Sequence, residues 1–408
     1  MRAAATTLRR IDPAELAAPP TIAGLRTLAL GAAFLGFIAL GVGMLVGGEH
    51  GPDYAARALL VGCVFWLGIS LGSLALFMIN LLTAGGWGLV ARRVLEAAAR
   101  TLVVPFLLLV VVFLLWNHNL YEWTHTEVVE ADQILTRKAP YLNLPFFFLR
   151  QAIYFALFGF LAYSLTGMSR RQDTAGTPEL LAGMKRIAAP GLVFWSLAVT
   201  FASVDWLMSL QPHWFSTIYG VWLMGSNGLS AMAFLIVFAV WLSRREPMNH
   251  VFKPHHFHDW GKFLLAFTML WAYFSFSQFL IIWSGNLPEE IFWYKERITG
   301  GWGILSLIIV VFHFVLPFSL LLSRDLKRNA GRLVMIAGLM LVMRLVDFFW
   351  QVEPAFHHHT PGLYWMYVAA ALAVGGFWFA WFLWELNKRP LLPVNDPYLP
   401  EALAHAPH

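Results

Sequence analysis

The chain has 408 residues, of which 59% are hydrophobic and only 12% are charged, and its mean hydropathy is +0.64. Soluble proteins average about 25% charged residues, so the composition excludes the soluble, disulfide-rich, coiled-coil, collagen-like and disordered classes. The formal net charge is +5, but the basic residues are spread between apolar segments, which excludes a continuous nucleic-acid-binding face. We therefore predict a protein of the lipid bilayer with no nucleic-acid partner.

Ten apolar segments have the length that a transmembrane helix needs, because about 20 residues cross a hydrocarbon core of about 30 Å. Lipid offers no partner to backbone amides, and the segments lack the alternation of barrel strands, so each is predicted to be an α-helix. Numbered 1 to 10 in chain order, the predicted helices cover residues 24–46, 56–80, 94–116, 143–167, 187–209, 216–242, 260–283, 302–323, 332–350 and 363–385.

The basic residues predict the orientation of these helices. Of the 28 Lys and Arg residues, 21 fall on the side of the termini, five on the other side and two within predicted helices. The positive-inside rule therefore places both termini in the cytoplasm. The first apolar run has full spanning length and no small-residue cleavage site, so it is predicted to be helix 1 rather than a signal peptide.

Predicted helices 5 and 9 end in a similar motif. Val-Asp-Trp at 204–206 precedes Gln-Pro-His-Trp at 211–214, while Val-Asp-Phe at 346–348 precedes Glu-Pro-Ala-Phe at 353–356. The repeat predicts two four-helix bundles of the same orientation, helices 2–5 and 6–9, with two flanking helices. The expected units are a tail with helix 1 (1–55), a first bundle (56–209), a second bundle (216–350) and helix 10 with a tail (363–408).

Ionisable residues near these motifs are the candidate functional residues, because a charge within a span costs about 2.5–3.5 kcal/mol on insertion scales. Arg344 and Asp347 are three residues apart and are expected to pair, whereas the expected partner of Asp205 is Arg150 or Arg344. Most candidates lie toward the end opposite the termini, and the other half is expected to hold almost none. The candidates are Asp205, Asp347, Arg344, Arg150, His118, Glu122, His213 and His313.

Each candidate also has a structural interpretation. Arg344 with Asp347 is as consistent with a bundle-stabilising pair as with a proton relay, whereas the repeated acid favours a functional Asp205. His313 is expected to be a hydrogen-bonded core histidine, since haem ligation needs a second histidine at matched depth. A single cysteine, Cys63, cannot supply a disulfide or a thiolate cluster, so no metal is expected.

Two aromatic and histidine features are also expected to be structural. The histidines at 357–359 are expected to lie in a solvated loop. Tryptophans near the predicted ends of helices are expected to form an interfacial belt. These tryptophans are Trp116, Trp123, Trp206, Trp214, Trp283 and Trp293.

Three longer stretches carry a family resemblance. They are Lys-Ala-Pro-Tyr-Leu-Asn at 138–143, Ser-Val-Asp-Trp-Leu-Met-Ser-Leu-Gln-Pro-His-Trp-Phe-Ser-Thr at 203–217, and Asn-Leu-Pro-Glu-Glu at 286–290. With them the chain resembles the ActF subunits of bacterial alternative complex III, which belong with the NrfD and polysulfide reductase membrane subunits. The resemblance implies a ten-helix subunit of a quinol:electron acceptor (cytochrome c) oxidoreductase in the bacterial cytoplasmic (inner) membrane.

The resemblance also implies partners, namely iron-sulfur and haem c subunits and a sister NrfD-like subunit of the ActC type. No covalently bound cofactor is implied, but a quinone or quinol is a possible ligand. Quinol oxidation needs a flat apolar slot, a base near each hydroxyl and an electron acceptor, and this chain supplies only the first two. The eight candidates are then candidates for proton transfer or a quinone site, and the chain alone is expected to have no activity.

The expected function is to anchor redox subunits, face the quinone pool and conduct protons near the periplasmic side. A secondary transporter is an alternative, because such proteins also combine repeats with charges inside the membrane. Their binding sites commonly lie at the midplane, whereas the candidates here lie toward one end. A purely structural membrane anchor is the third hypothesis.

Overall fold

The computed structural model describes residues 16–356 and 362–404, and these residues form helices and connecting turns without a β-strand. Ten of the helices are long and apolar enough to cross a membrane, which confirms the predicted all-α fold class. They are α1 (Thr21–Val46), α2 (Gly51–Thr83), α3 (Arg92–Leu120), α4 (Leu144–Ala175), α5 (Pro178–Trp206), α6 (Tyr219–Leu242), α7 (Pro254–Gly285), α8 (Gly301–Leu321), α9 (Ala330–Val352) and α10 (Trp365–Asn387).

Several helices extend beyond their predicted ends, because hydropathy detects only the apolar part of a helix. Helix α4 continues through polar turns to Ala175 and stops at Gly176, whose φ of 59° is the left-handed conformation that terminates helices. Helix α5 then begins at Pro178, a residue that fits the first helical turn because it lacks a backbone donor. The polar end of α4 and the polar start of α5 therefore make both helices longer than their apolar segments.

Two helices are irregular at a proline. Helix α3 consists of Arg92–Arg100 and Val103–Leu120, and Pro105 cannot donate the hydrogen bond that the carbonyl four residues earlier would accept. Helix α8 contains a π-helical turn, Val310–Val315, just before Pro317. Pro317 removes the donor for the carbonyl of His313, so the turn widens at that histidine.

Helices α2 and α6 form the centre of the molecule. In their most apolar windows, 94% of the α2 residues and 89% of the α6 residues are buried, against 28% for α1. The two helices pack closely because Gly72 of α2 lies against the backbone of Asn227 of α6, where a Cβ would collide. Around them, α2 also contacts α3, α5 and α10, α6 contacts α5, α7 and α9, and α1 lies against α10.

The first and last described segments of the chain meet at one end of the helices, which we call the terminal end. The Leu391 amide donates to the Leu16 carbonyl at 2.9 Å, and Arg92 pairs with Asp396 at 2.5 Å. The opposite end, called the distal end, carries the connecting helix Pro288–Ile298 between α7 and α8. By the positive-inside rule, the terminal end is the predicted cytoplasmic end.

The predicted tryptophan belt is wrong for several of its members. Trp206, Trp214 and Trp293 are only 1–3% exposed, and the rings of Trp214 and Trp293 stack with centroids 4.6 Å apart. The Trp206 indole donates to Gln151 Oε1 at 2.8 Å, whereas Trp283 is 43% exposed. The position of a tryptophan in the sequence indicates its depth in the membrane. It does not indicate whether neighbouring helices cover the face of the helix on which the tryptophan lies.

Candidate functional site

Asp205, near the distal end of α5, forms a completely paired carboxylate. Arg150 of α4 donates from Nε to Oδ2 at 2.8 Å and from Nη2 to Oδ1 at 2.9 Å. The Tyr154 hydroxyl also donates to Oδ2 at 2.8 Å, and Asp205 is fully buried. Of the two expected partners, Arg150 is the one found, and the geometry is that of a bidentate pair joining two helices.

Asp347, its counterpart on α9, is paired less completely. As expected, Arg344 on the same helix donates to Asp347 Oδ2, which also accepts the Trp271 indole N–H of α7 at 3.1 Å. No described residue donates to the other oxygen, Oδ1, with ordinary hydrogen-bond geometry, although the Gln351 side chain is close to the carboxylate, and Arg344 Nε and Nη2 are likewise without an acceptor. Both side chains are fully buried, so the pair has one acceptor oxygen and two donor nitrogens without a hydrogen-bond partner of ordinary geometry among the described residues.

His313 lies on the π-helical turn of α8 and packs against the same indole. Its ring centroid is 4.1 Å from that of Trp271, and the side chain is fully buried. The expectation of a hydrogen-bonded histidine is wrong, because neither ring nitrogen has a partner among the described residues. The widened turn directs the ring against an aromatic face. We call Asp347, Arg344, Trp271 and His313 the Asp347 cluster.

An apolar cleft of about 610 Å³ leads to this cluster between α7 and α8. At its outer rim Tyr273 and Phe276 are 62% and 61% exposed, whereas Asp347 and Trp271, which also line it, are buried. The cleft therefore extends from the lipid-facing surface to a carboxylate. Its apolar walls include Met269, Ala272, Phe279, Ile309, Val310 and Phe314.

A hydrogen-bonded chain continues toward the distal surface from Gln351, one helical turn beyond Asp347. Arg297 of the connecting helix donates to the Gln351 carbonyl at 2.7 Å and to Gln211 Oε1 at 3.0 Å. Gln211 in turn donates to Glu296 at 2.6 Å, and the Glu296 side chain is 21% exposed. These polar residues reach from the neighbourhood of the cluster to the surface.

Sequence reasoning missed this chain and Trp271. Arg297 was assigned to a loop, although it is only 1% exposed. Gln211 belongs to the repeated motif, and that position is one sequence signal for this chain of residues. The large apolar residues Ile291, Trp293 and Tyr294, which the structure buries, are a second sequence signal that the helix Pro288–Ile298 packs inward.

The remaining candidates lie outside both acidic clusters. His118 is exposed at the end of α3 and its Nδ1 is 3.1 Å from Thr124 Oγ1, while Glu122 is exposed in the following turn. His213 Nε2 is 2.6 Å from Asp132 Oδ2, and this hydrogen bond lowers the pKa of the Asp132 carboxyl below its usual value. The structure thus brings Arg150 together with Asp205, and Arg344 together with Asp347 and His313. His118, Glu122 and His213 are joined to neither group.

The expectation that the terminal half holds almost no ionisable groups is wrong. Glu96 of α3 is 1% exposed and accepts from Arg93 at 2.7 Å and from Arg389 at 3.0 Å. Glu385 of α10, also buried, is 2.8 Å from Arg100. Glu96 and Glu385 lie at the very ends of predicted helices 3 and 10, where hydropathy suggests an exposed position, but long-range packing buries them. Because each acid has a basic partner, they connect α3 and α10.

No protein-family model matches the sequence, and no curated protein matches it. Within 16–356 and 362–404, no group of three or more His, Cys, Asp or Glu side chains could hold a metal ion. The histidines at 357–359 lie outside the described residues.

Proposed function

We propose that the chain is a membrane subunit of a quinol:electron acceptor (cytochrome c) oxidoreductase resembling alternative complex III. In this proposal it lies in a bacterial inner membrane with both termini cytoplasmic and anchors iron-sulfur and haem c subunits beside an ActC-like sister subunit. One observation carries the proposal: an apolar cleft extends from the lipid-facing surface to a buried carboxylate with an unsatisfied oxygen. The family resemblance supports the choice of ligand.

The cleft suits a quinol for two reasons. A quinol has a flat ring and an apolar tail, so a lipid-facing slot with aromatic walls admits the ring while the tail remains in lipid. Asp347 Oδ1 is then positioned to accept the hydroxyl proton as a general base. Arg344 balances the carboxylate charge, and His313 acts as a positioning residue by holding the Trp271 indole that donates to Asp347.

Protons from the cleft have a polar route outward. Asp347 lies one turn from Gln351, and Arg297 and Gln211 connect that residue to Glu296 at the distal surface. Because the Arg297 guanidinium only donates, the proton passes along water molecules beside these polar groups, and with the distal end in the periplasm this route conducts protons near the periplasmic side. In this proposal electrons pass to redox centres in the iron-sulfur and haem c partner subunits.

The test uses the complex purified with its natural partners and a variant that fills the cleft. Ala272→Phe places a bulky ring on the cleft wall, and Ala266→Phe is the matched control on an exposed part of the same helix outside the cleft. We expect Ala272→Phe to weaken binding of short-chain quinone analogues about tenfold or more. Fluorescence titration measures this binding, and unchanged affinity in Ala272→Phe would contradict a quinol site here.

A second variant tests the base. Asp347→Asn keeps the size of the side chain but removes its basicity, so turnover is expected to fall about 10²-fold while quinone affinity changes less. Unchanged turnover in both Asp347→Asn and Ala272→Phe would favour a purely structural anchor. Solute uptake by the purified chain in proteoliposomes would favour the secondary transporter.

A further inference from the structure

A second cavity, of about 440 Å³, lies at the terminal end between α6 and α9 and has a mixed lining. Val237, Val240 and Trp241 of α6 and Val334 of α9 form apolar walls. Arg244 and Arg245, just beyond the end of α6, also line it. The groove therefore combines an apolar trough with two guanidinium groups at the depth where a spanning helix ends.

Within the described part of the chain, no carboxylate forms an ion pair with the two arginines. Arg245 donates to the Trp241 carbonyl at 2.7 Å and its guanidinium carbon lies 3.9 Å from the Trp241 ring centroid. Neither Arg244 nor Arg245 forms an ion pair with a described carboxylate, and the adjacent Glu246 is exposed without such a pair. Two like charges beside each other are stabilised by an anion, and guanidinium groups bind phosphate through paired N–H donors.

We propose that this groove binds an anionic phospholipid. Arg244 and Arg245 hold the headgroup phosphate, and one acyl chain lies against Val237, Val240 and Val334. Charge complementarity selects an anionic over a zwitterionic lipid, since basic residues at a membrane surface attract anionic headgroups. The apolar walls distinguish a lipid from free phosphate, which would use only the arginines. This site is separate from the cleft and does not depend on the proposed function.

Native mass spectrometry of the full-length chain tests the proposal with phosphatidylglycerol and phosphatidylcholine of identical acyl chains. The wild-type chain is expected to retain phosphatidylglycerol preferentially, and the double variant Arg244→Gln/Arg245→Gln is expected to lose about tenfold in its affinity. The matched control is Arg170→Gln/Arg171→Gln, two exposed arginines of α4 at the same end that do not line the groove. This control is expected to retain wild-type affinity.

Two further experiments separate the contribution of the apolar trough to lipid binding from that of the two arginines. Val334→Phe fills the trough without changing charge, so it is expected to weaken lipid retention while both arginines remain. Inorganic phosphate is expected not to displace bound phosphatidylglycerol. Equal loss in the two arginine double variants, unchanged binding in Val334→Phe, or displacement by inorganic phosphate would each overturn the lipid site.

Discussion

At the scale of single residues, the two repeated acids differ in how their arginine reaches them. Arg150 approaches Asp205 from a facing helix and donates to both oxygens. Arg344 is three residues before Asp347 on the same helix and donates from one nitrogen only. A bidentate contact needs two N–H groups on one edge of the planar guanidinium to point at the two carboxylate oxygens, which the packing of two helices permits. The same sequence motif therefore produces one saturated carboxylate and one with a free oxygen.

This difference predicts the effect of removing Arg150. Arg150→Ala leaves Asp205 buried without a charged partner, so the free energy of unfolding is expected to fall by about 3–5 kcal/mol. Denaturant unfolding in detergent measures the change. The double variant Arg150→Met/Asp205→Leu should recover much of the loss, because apolar residues of similar volume need no partner. A loss below about 1 kcal/mol in Arg150→Ala would contradict a structural role for the pair.

At the scale of helices, proline explains two departures from regular geometry, and glycine explains one close helix contact. Pro105 and Pro317 each deprive a carbonyl four residues earlier of its donor, and the break in α3 and the π-turn in α8 lie at those places. The π-turn is the reason that His313 faces Trp271. Gly72 has a different effect, because it allows the two central helices to touch.

Gly72→Val tests this contact. The added side chain meets the backbone of Asn227 and cannot be accommodated by a rotamer change, so about 1–3 kcal/mol of stability is expected to be lost. Gly159→Val on α4 is the matched control, since nothing lies within 4 Å of a Cβ at that position. Thermal unfolding in detergent compares the two, and equal stability of both variants would argue against close α2–α6 packing.

At the scale of the whole molecule, paired charges at the terminal end and a polar chain at the distal end lie on either side of an apolar middle. The terminal group contains Glu96, Arg93 and Arg389, and the distal group contains Arg297 and Gln211. Charges concentrated near both ends suit a protein whose middle lies in hydrocarbon. The predicted division into two repeated bundles stays a prediction.

Cysteine labelling tests the predicted orientation. The single native cysteine, Cys63, is buried, so a cysteine placed on the surface reports alone. Glu179→Cys at the terminal end is expected to react with a membrane-impermeant maleimide only in inverted vesicles, and Glu130→Cys at the distal end only in intact cells. The reverse pattern would place the termini outside the cytoplasm.

The amino-acid sequence was sufficient to predict ten helices and the pairing of Arg344 with Asp347, because hydropathy and helical spacing are local properties. It was not sufficient to identify the buried tryptophans, the buried ion pairs at the terminal end or the cleft. Glu96 and Arg389 are 293 residues apart, and the cleft exists only where α7 and α8 separate beside α9. Such contacts and cavities depend on which helix faces meet, and long-range packing determines those faces.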